Sequence, residues 1–494
     1  MKIRMAADLM GARVDKLSAE LFDKEIVGFS IDSRTTGAGE LFFALSQSDY
    51  ARAGFNGTFA DAHRYIPQAF AQGAIAAVAR QDHVQADEKL QAMADRLLLV
   101  EDAIAALQLL AHKVYEAWAR PVVAITGSAG KTTAKELTAH LLKAAGQRVL
   151  KSERNYNNGL GLPLAVLQMV TGGRMPEQFD LAVLEMGMSS PTHEIERLCK
   201  ITPPDIGVEL LVAPVHLEHL GTIENIAAAK AELIEGLKPQ GTAVLNADDE
   251  RVIAMRAKHQ GKVITFGIEN AADVMASNID TSCFGRSRFR LRTPLGEADA
   301  ELWMPGRHNL MNALAAAAVA TCFEMRAEEI ATALKGVTPA KMRGEVIDFA
   351  AGFTVVDDSY NSNPRSLLSI VQTIAESATY PKRRIVIAGE MLELGPEGRA
   401  MHREAGAEIA QAGIDLLWGV RGLASEMVEG ALSAGMSTER ARFFETSEQA
   451  AAAICEEARA GDLILVKGSR GVETDKVVKM LRDRFPATGG DERV

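Results

Sequence analysis

Short apolar runs alternate with amphipathic stretches along the chain, and this pattern predicts strands alternating with helices. Beyond residue 120 the apolar runs are FDLAVLEMG, DIGVELLVAP, GTAVLNADD, FTVVDD, RRIVIAGE, DLLWGV and DLILVKGSRG. Nearly continuous apolar runs of this length are typical of strands that are buried on both faces. Helical patterns separate them, which predicts parallel sheets wound with helices and therefore an α/β fold. The first part of the chain has shorter runs, such as ELFFALS and GAIAAVA.

The length of the chain and the breaks in this pattern predict three domains. A chain of 494 residues exceeds what a single hydrophobic core usually serves. We assign residues 1–118 to a first domain, 119–335 to a central domain and 336–494 to a third domain. An alanine-rich helix from Asn309 to about Cys322 closes the central block.

Composition narrows the class of protein. The chain is 47% hydrophobic and 24% charged, which is typical of a globular protein, and its net charge of −11 disfavours a general nucleic-acid surface. It has no apolar run of membrane-spanning length and no signal-peptide pattern. The four cysteines form no CxxC pair, so neither a disulfide framework nor a thiolate metal site is indicated. We expect a cytoplasmic monomer that is neither inserted in a membrane nor bound to nucleic acid.

The stretch VVAITGSAGKTTAKELTAHLL, residues 122–142, predicts a phosphate-binding loop between a strand and a helix. Its small residues allow backbone N–H groups to close around an anion at the positive end of the helix. Lys131 adds a positive charge, and Thr132 adds a hydroxyl that suits Mg²⁺. The standard motif has glycine where this chain has Ile125, so the loop is a shortened relative. The alternative is an ordinary tight turn. The candidate loop residues are Gly127, Ser128, Ala129, Gly130, Lys131, Thr132 and Thr133.

Acids that end apolar strands are candidates for chemistry, because ligands of open α/β sheets sit beyond the carboxyl ends of strands. Glu185 ends the run LAVLE and could bind Mg²⁺ beside nucleotide phosphates, or could be a solvated acid. His216 follows the next run, in VAPVHLEHLG, and could be either a ligand or a structural histidine.

Lys230 occupies an unusual position. A helical period places it on one stripe with the apolar residues Ile223, Ile226, Ala227, Leu233, Ile234 and Leu237. Lysine is almost never fully buried without a partner, so either its stem extends to an edge or the site needs the amine.

Two polar stretches are candidates for nucleotide or substrate binding. Asn309 and Asn312 lie three residues apart on one face of the alanine-rich helix and could recognise a base edge, although helix capping by Asn309 is an alternative. Asp357 and Asp358, in VVDDSYNSNPRS, end a strand and could bind ribose or a charged substrate, or could form a turn.

Taken in order, these motifs resemble those of the Mur ligases, the ATP-dependent enzymes that extend the peptide of cell-wall precursors. The set is TGSAGKTT, NYNNGLGLPLAVL, LEMGM, HLEHLGTIENIAAAKAEL, GRHNLMNALAA, DDSYNSNP and VKGSRG, and it covers most of residues 121–471. In the first domain, DSRTTGAGELFFAL and DAHRYIPQAFAQGA look like the uridine-nucleotide domain of that family. The resemblance implies a central P-loop-type parallel sheet, a Rossmann-like C-terminal domain and a smaller α/β N-terminal domain.

The resemblance also implies roles for single residues. The loop from Gly127 to Thr133 would hold the β- and γ-phosphates of ATP. Lys230 matches a lysine that many family members carbamylate, which would make it a metal ligand. The implied catalytic residues are Lys131, Glu185, His216 and Lys230. Thr132 and Glu185 would bind one Mg²⁺ and His216 a second, and carbamylated Lys230 would serve the metal site. Asn309 and Asn312 would face adenine, while Arg343 and Asp358 would reach ribose or phosphate from the third domain. Substrate contacts would come from Ser33 and Arg34 for the uridine diphosphate, Asn157 and Asn158 for the peptide, and Asn361 and Asn363 for the incoming dipeptide.

Within the family, DDSYNSNP followed by IAGEMLELG resembles the branch that adds D-alanyl-D-alanine to UDP-N-acetylmuramoyl-tripeptide through an acyl phosphate. ATP and Mg²⁺ are the implied cofactors. The chain departs from the family at Leu210 and Leu211, where relatives often have Thr-Asn, and at Glu390, where Asp is frequent. A folylpolyglutamate synthase and a nucleotide-dependent switch are the alternatives. The third residue of the tripeptide, diaminopimelate or lysine, stays open.

Overall fold

Three β-sheets follow one another along the chain. The computed structural model describes residues 1–55, 57–153, 156–188, 193–214, 220–376 and 382–488. The first sheet has four parallel strands in the order β1-β2-β3-β4 within these residues. Its strands are β1 (Gly28–Ser30), β2 (Glu40–Phe43), β3 (Ala76–Arg80) and β4 (Leu97–Val100).

The central sheet has nine strands among the described residues, in the order β13-β12-β11-β10-β9-β8-β5-β7-β6. The strands are β5 (Val122–Thr126), β6 (Val149–Lys151), β7 (Leu181–Glu185), β8 (Ile206–Glu209), β9 (Thr242–Asn246), β10 (Lys262–Gly267), β11 (Val274–Asp280), β12 (Ser287–Thr293) and β13 (Gly296–Leu302). Strand β5 lies between β7 and β8 and is parallel to both. The three strands therefore end at the same edge of the sheet.

The third sheet has six strands in the described chain, in the order β14-β15-β19-β16-β17-β18. All neighbours are parallel except β14 and β15. The strands are β14 (Glu345–Asp348), β15 (Thr354–Asp358), β16 (Arg383–Gly389), β17 (Leu416–Val420), β18 (Ala441–Phe444) and β19 (Asp462–Lys467).

Helices occupy most of the connections. They are α1 (Ile3–Met10), α2 (Gln47–Arg52), α3 (Ile66–Ala71), α4 (Gln81–Ala86), α5 (Glu88–Gln91), α6 (Ala103–Trp118), α7 (Lys131–Ala144), α8 (Gly161–Leu167), α9 (Glu194–Ile201), α10 (Ile223–Glu235), α11 (Glu250–Ala254), α12 (Arg307–Cys322), α13 (Ala327–Leu334), α14 (Pro364–Glu376), α15 (Gly398–Gln411), α16 (Ala424–Ser433), α17 (Ser447–Glu457) and α18 (Asp475–Arg484). Among these, no helix is both long and apolar enough to cross a membrane. All four cysteines are free thiols, as their spacing predicts.

The α/β prediction is confirmed, and the apolar runs that predicted strands contain β2, β3, β7, β8, β9, β15, β16, β17 and β19. One part of the central sheet differs from the prediction, because β11, β12 and β13 pair antiparallel. Buried and exposed positions alternate along β12, so one face of this extension meets water, which is typical of antiparallel strands. Parallel pairing was predicted from continuous apolar runs, and β11, β12 and β13 have no such runs.

Helix α6 joins the first sheet to the central sheet. Asp102 caps its start by accepting hydrogen bonds from the backbone N–H groups of Ile104 and Ala105. Its buried face belongs to one hydrophobic cluster that includes Phe43 of β2 and Leu184 of β7. The first and central domains therefore share a core. On the opposite face of the central sheet, the alanine-rich α12 is buried on nearly all sides and packs against α7.

Candidate active site

The loop between β5 and α7 has the backbone geometry of an anion-binding turn. Gly127 and Gly130 have φ angles of 152° and 86°, a region that glycine enters without strain. A Cβ atom on Gly130 would overlap the side-chain amide of Asn312. No side chain caps the start of α7, so the N–H groups of its first turn are available to an anion.

Ser128 departs from its expected role. Its backbone N–H donates to the Leu211 carbonyl at 2.8 Å. Its hydroxyl donates to the Ala213 carbonyl at 3.1 Å and accepts from the Ala213 N–H at 2.9 Å. Through these hydrogen bonds Ser128 fixes the segment after β8, and its contact with phosphate stays a prediction. Ala129 has only a methyl side chain. Thr133 follows Thr132 in the first turn of α7 and is buried.

Lys131 folds back over the loop. Its Nζ donates to the carbonyl of Gly127 at 2.8 Å. Burial lowers the pKa of this ammonium, and the charge of Glu185 opposes that shift in part. The positive charge therefore lies where the loop would meet a phosphate.

Glu185 connects three separate elements. Its Oε2 accepts a hydrogen bond from the Thr132 hydroxyl at 2.8 Å, and its Oε1 accepts from Asn157 Nδ2 at 2.9 Å. Its backbone N–H donates to the Ser152 hydroxyl at 3.1 Å. The side chain is only 3% exposed. Carboxylate and hydroxyl oxygens placed together beside a phosphate loop are the ligands that Mg²⁺ prefers, so Thr132 and Glu185 fit that ion. Asn157 thus contacts this carboxylate, where the resemblance implied a peptide contact.

Lys135 supports this arrangement and was missed by the sequence analysis. It lies on α7, is 1% exposed, and its Nζ donates to the Ser152 carbonyl at 2.6 Å. Ser152 follows β6 and precedes the segment that carries Asn157. The only sequence signal was a lysine on the buried side of the helix.

Lys230 is buried on α10, as its apolar stripe predicts. It is 2% exposed, and burial lowers its pKa to about 7 although the charge of Glu209 opposes the shift. Glu209 ends β8, is fully buried, and its pKa is raised to about 8 by burial. Glu209 was missed from sequence, because it lies inside the apolar run DIGVELLVAP and only the structure shows that β8 ends there.

The two asparagines of α12 have different environments. Asn312 is buried with its amide against Gly130, next to the phosphate loop. Asn309 is also buried, and its Nδ2 donates to the Pro305 carbonyl at 2.7 Å. The N-cap of α12 is Gly306, so Asn309 is not the capping residue.

Residues of the third domain reach the same region. The guanidinium of Arg343 lies 4.0 Å from the ring centre of Tyr360, and its charge contributes to the lowered pKa of Lys131. Asp358 Oδ2 accepts a hydrogen bond from Lys467 Nζ at 2.6 Å. Lys467 is 3% exposed and also donates to the Asn361 carbonyl at 3.0 Å. No role was assigned to Lys467 from sequence, although its motif VKGSRG was recognised.

A direct contact joins the central and third domains. His308, at the start of α12, lies 3.1 Å from the Ser369 hydroxyl of α14 through its Nδ1. Burial lowers the pKa of His308 to about 4.

Three asparagines to which the resemblance assigns substrate contacts hydrogen-bond to nearby backbone, and their substrate roles stay predictions. Asn158 Oδ1 accepts from the N–H groups of Leu160 and Gly161, at 3.1 and 2.8 Å, where α8 begins. Asn363 Oδ1 accepts from the Ser366 N–H at 2.9 Å at the start of α14. Asn361 Oδ1 accepts from the adjacent Ser362 N–H at 2.9 Å. Asparagine serves caps and turns as readily as ligands, which explains the difference.

The candidate uridine-diphosphate contacts lie after β1, in the first domain. Arg34 forms an ion pair with Asp32 at 2.7 Å and is otherwise largely exposed. The Ser33 hydroxyl donates to Gln68 Oε1 at 3.4 Å. His216 lies outside the described residues, so its catalytic and metal-binding roles stay predictions.

Comparison with known proteins agrees with the site. Residues 125–320 match the Mur ligase middle domain, and residues 342–470 match the Mur ligase glutamate ligase domain. The UDP-N-acetylmuramoyl-tripeptide–D-alanyl-D-alanine ligase of Bacillus subtilis is 33% identical over 92% of this chain and 93% of its own length.

Solved structures give the same result. A crystal structure of MurF from Acinetobacter baumannii has a TM-score of 0.80 and 26% identity, covering 98% of this chain and 99% of its own. MurF ligase from Thermotoga maritima in complex with ADP has a TM-score of 0.77 and 26% identity, covering 93% and 98%. The chain therefore belongs to the Mur ligase family, and these relatives that match it over almost its whole length are MurF ligases.

Proposed function

We propose that this chain joins D-alanyl-D-alanine to UDP-N-acetylmuramoyl-tripeptide with hydrolysis of ATP, which makes the pentapeptide precursor of peptidoglycan. The observation that carries the proposal is the Thr132–Glu185–Asn157 cluster beside an open phosphate loop. It stands in a chain that is 33% identical to a ligase of that name over 92% of its length.

The reaction has two steps. The carboxylate of the tripeptide attacks the γ-phosphate of ATP and forms an acyl phosphate. The amine of the dipeptide then attacks the acyl carbon, a tetrahedral intermediate forms, and phosphate leaves. Such chemistry depends on positioning and on neutralising charge. Lys131 and the first turn of α7 supply positive charge at the phosphates.

Thr132 and Glu185 would hold one Mg²⁺, and on our proposal His216 would hold a second, with carbamylated Lys230 serving the metal site. When bound, Mg²⁺ would neutralise developing negative charge on the phosphate oxygens. Thr132 and Asn157 orient the Glu185 carboxylate through their hydrogen bonds. The low pKa of Lys230 supports carbamylation, because the neutral amine is the form that reacts with CO₂.

Nucleotide binding would use both sides of the interdomain cleft. Asn312 and the loop lie on one side, and Arg343 and Asp358 on the other. A cavity of about 210 Å³ borders Thr133 and Val337, between α7 and the segment that leads into the third domain. Domain closure would then bring Arg343 onto the nucleotide.

The remaining assignments are proposals of the same kind. Ser33 and Arg34 would bind the uridine diphosphate, in which case Arg34 exchanges its pairing with Asp32 for a phosphate. We expect a monomer that acts in the cytoplasm, where ATP and nucleotide-linked precursors occur.

A coupled phosphate-release assay tests the function. Release should require UDP-N-acetylmuramoyl-tripeptide, D-alanyl-D-alanine, ATP and Mg²⁺ together, and tripeptides with diaminopimelate or lysine should be compared. Preferred use of a single amino acid or of glutamate as acceptor would overturn the assignment within the family. Phosphate release without either co-substrate would indicate a nucleotide-dependent switch.

A further inference from the structure

The turn that carries Ser33 and Arg34 is held together by Asp32. The Asp32 carbonyl accepts hydrogen bonds from the N–H groups of Thr35 and Thr36, both at 3.1 Å, and its Oδ1 accepts from the Arg34 N–H at 3.0 Å. The Thr36 hydroxyl also donates to the Asp32 carbonyl, at 2.9 Å. The turn closely follows β1, so it lies at the carboxyl end of a parallel strand, where ligands of open α/β sheets bind.

Gln72, which directly follows α3, contacts the same turn from another element. One terminal atom of its side-chain amide lies 3.2 Å from each of three carbonyl oxygens, those of Ser33, Arg34 and Thr36. Carbonyl oxygens only accept hydrogen bonds, so this atom is the amide nitrogen. A single NH₂ group therefore gathers three carbonyl groups of one turn.

The end of α3 is fixed against this segment by two further contacts. Gln68 lies one helical turn before Gln72, and its Oε1 accepts a hydrogen bond from the Ser33 hydroxyl at 3.4 Å. Gly73 has a φ angle of 105°, and a Cβ atom there would lie 3.0 Å from Ala38 Cα. This close approach of the backbone at Gly73 brings Gln72 onto the turn.

An anion that approaches the turn meets either its carbonyl groups or its cation. Carbonyl oxygens carry partial negative charge, so three of them on an open face would repel a diphosphate. The NH₂ group of Gln72 binds these oxygens and keeps them directed toward the end of α3. Arg34, whose side chain is 80% exposed, is then the charged group that meets the ligand.

We propose that Gln72 is a positioning residue for the uridine diphosphate part of the substrate. It holds the carbonyl groups of the turn away from the phosphates, so that Ser33 and Arg34 face the ligand. The inference rests on the proposed function and deepens it, because it concerns how the chain recognises the nucleotide of its precursor.

Steady-state phosphate release with UDP-N-acetylmuramoyl-tripeptide as the varied substrate tests the proposal. Gln72→Met keeps the size of the side chain but removes the NH₂ donor. Its KM for this substrate should rise about tenfold, while kcat and the KM for ATP stay within about twofold. Gln72→Glu places a carboxylate against the same carbonyl groups and should raise the KM further. Gln72→Lys supplies N–H donors again and should stay close to the wild type.

Gln91 provides the matched control in the same domain. It is exposed, and its Nε2 donates to the Gln85 carbonyl at 2.8 Å. Gln91→Met and Gln91→Lys should leave the KM for the UDP substrate unchanged, which separates the role of Gln72 from the general effect of a lost amide or an added charge. Titration calorimetry with UDP alone gives a second measurement, and the Kd should rise in Gln72→Met by the same factor as the KM.

The outcomes separate this inference from the proposed function. Unchanged KM and Kd in both Gln72→Met and Gln72→Glu, in an enzyme that uses the UDP substrate, would overturn the inference and leave the ligase proposal intact. A lower urea midpoint with an unchanged KM would overturn it as well, because Gln72 would then have only a structural role. A wild-type protein that binds UDP but releases no phosphate with the tripeptide substrate would remove the proposed function, and the UDP titration would then decide the role of Gln72.

Discussion

Two lysines are buried near strand ends in two different domains. One of them has hydrogen-bonding partners and the other has none among the described residues. Lys467 in the third domain is 3% exposed and donates to Asp358 and to the Asn361 carbonyl. Lys230 in the central domain is 2% exposed and makes no hydrogen bond or ion pair within the described ranges. Burial lowers the pKa of Lys230 to about 7. A paired buried lysine holds structure together, whereas an unpaired one is available for chemistry.

A second contrast lies in the polar candidate residues of the two domains. In the central domain, hydrogen bonds to Glu185 come from Thr132 and Asn157, which are 53 and 28 residues away in sequence. In the third domain, Asn361 and Asn363 bond to backbone one to three residues away. Side chains distant in sequence therefore meet at Glu185, while in the loop after β15 the asparagine side chains bond locally and Lys467 supplies the long-range contact.

Replacing Lys230 should have the largest effect on activity. We expect Lys230→Ala to lose about three orders of magnitude in kcat, on the scale of removing an essential positioned charge. If the lysine works as a carbamate, acetate should restore part of the activity by returning an anion to the space. Lys230→Arg should not be rescued. Steady-state phosphate release measures all three, and an active Lys230→Arg enzyme would show that the residue acts as a cation.

Glu185→Gln should come next, with a loss of about two orders of magnitude in kcat. The amide keeps the shape of the side chain but removes the charge that Thr132 and Asn157 orient. The urea midpoint should move little, because the amide oxygen can still accept from Asn157 Nδ2 while the amide NH₂ donates to the Thr132 hydroxyl. Turnover close to normal at saturating Mg²⁺ would remove Glu185 from the site.

The sequence predicted the parts of the molecule that depend on local pattern. Continuous apolar runs identified the parallel strands, and the glycine-rich loop and Glu185 were found because they directly follow such runs. Lys230 was found because helical periodicity placed it among apolar residues. By contrast, the pairing of Lys467 with Asp358 spans 109 residues and leaves no local signal. The substrate roles of Asn158 and Asn363 stay predictions, because a side-chain amide that caps a helix or turn can also bind a ligand.

Lys467→Met should lower the free energy of unfolding by more than a surface substitution does. This result would show that Lys467 has a structural role, in contrast to Lys230. Removing one partner of a buried ion pair leaves Asp358 unpaired and costs about 3 kcal/mol. Urea unfolding measures this loss. The double variant Lys467→Met/Asp358→Asn should recover much of it, because no unpaired charge remains. An unchanged midpoint in the single variant would mean that the pair does not stabilise the third domain.

Asn363→Ala should have the smallest effect, and it tests whether the loop after β15 is structural. The side chain accepts a hydrogen bond from the Ser366 N–H at the start of α14, so its loss should cost about 1 kcal/mol. Asn363→Ser keeps an acceptor oxygen and should stay close to the wild type in urea unfolding. The KM for D-alanyl-D-alanine should be unchanged in both variants, because capping alone does not touch the dipeptide. A several-fold rise in that KM, equal in Asn363→Ala and Asn363→Ser while stability differs, would instead place Asn363 in the dipeptide site.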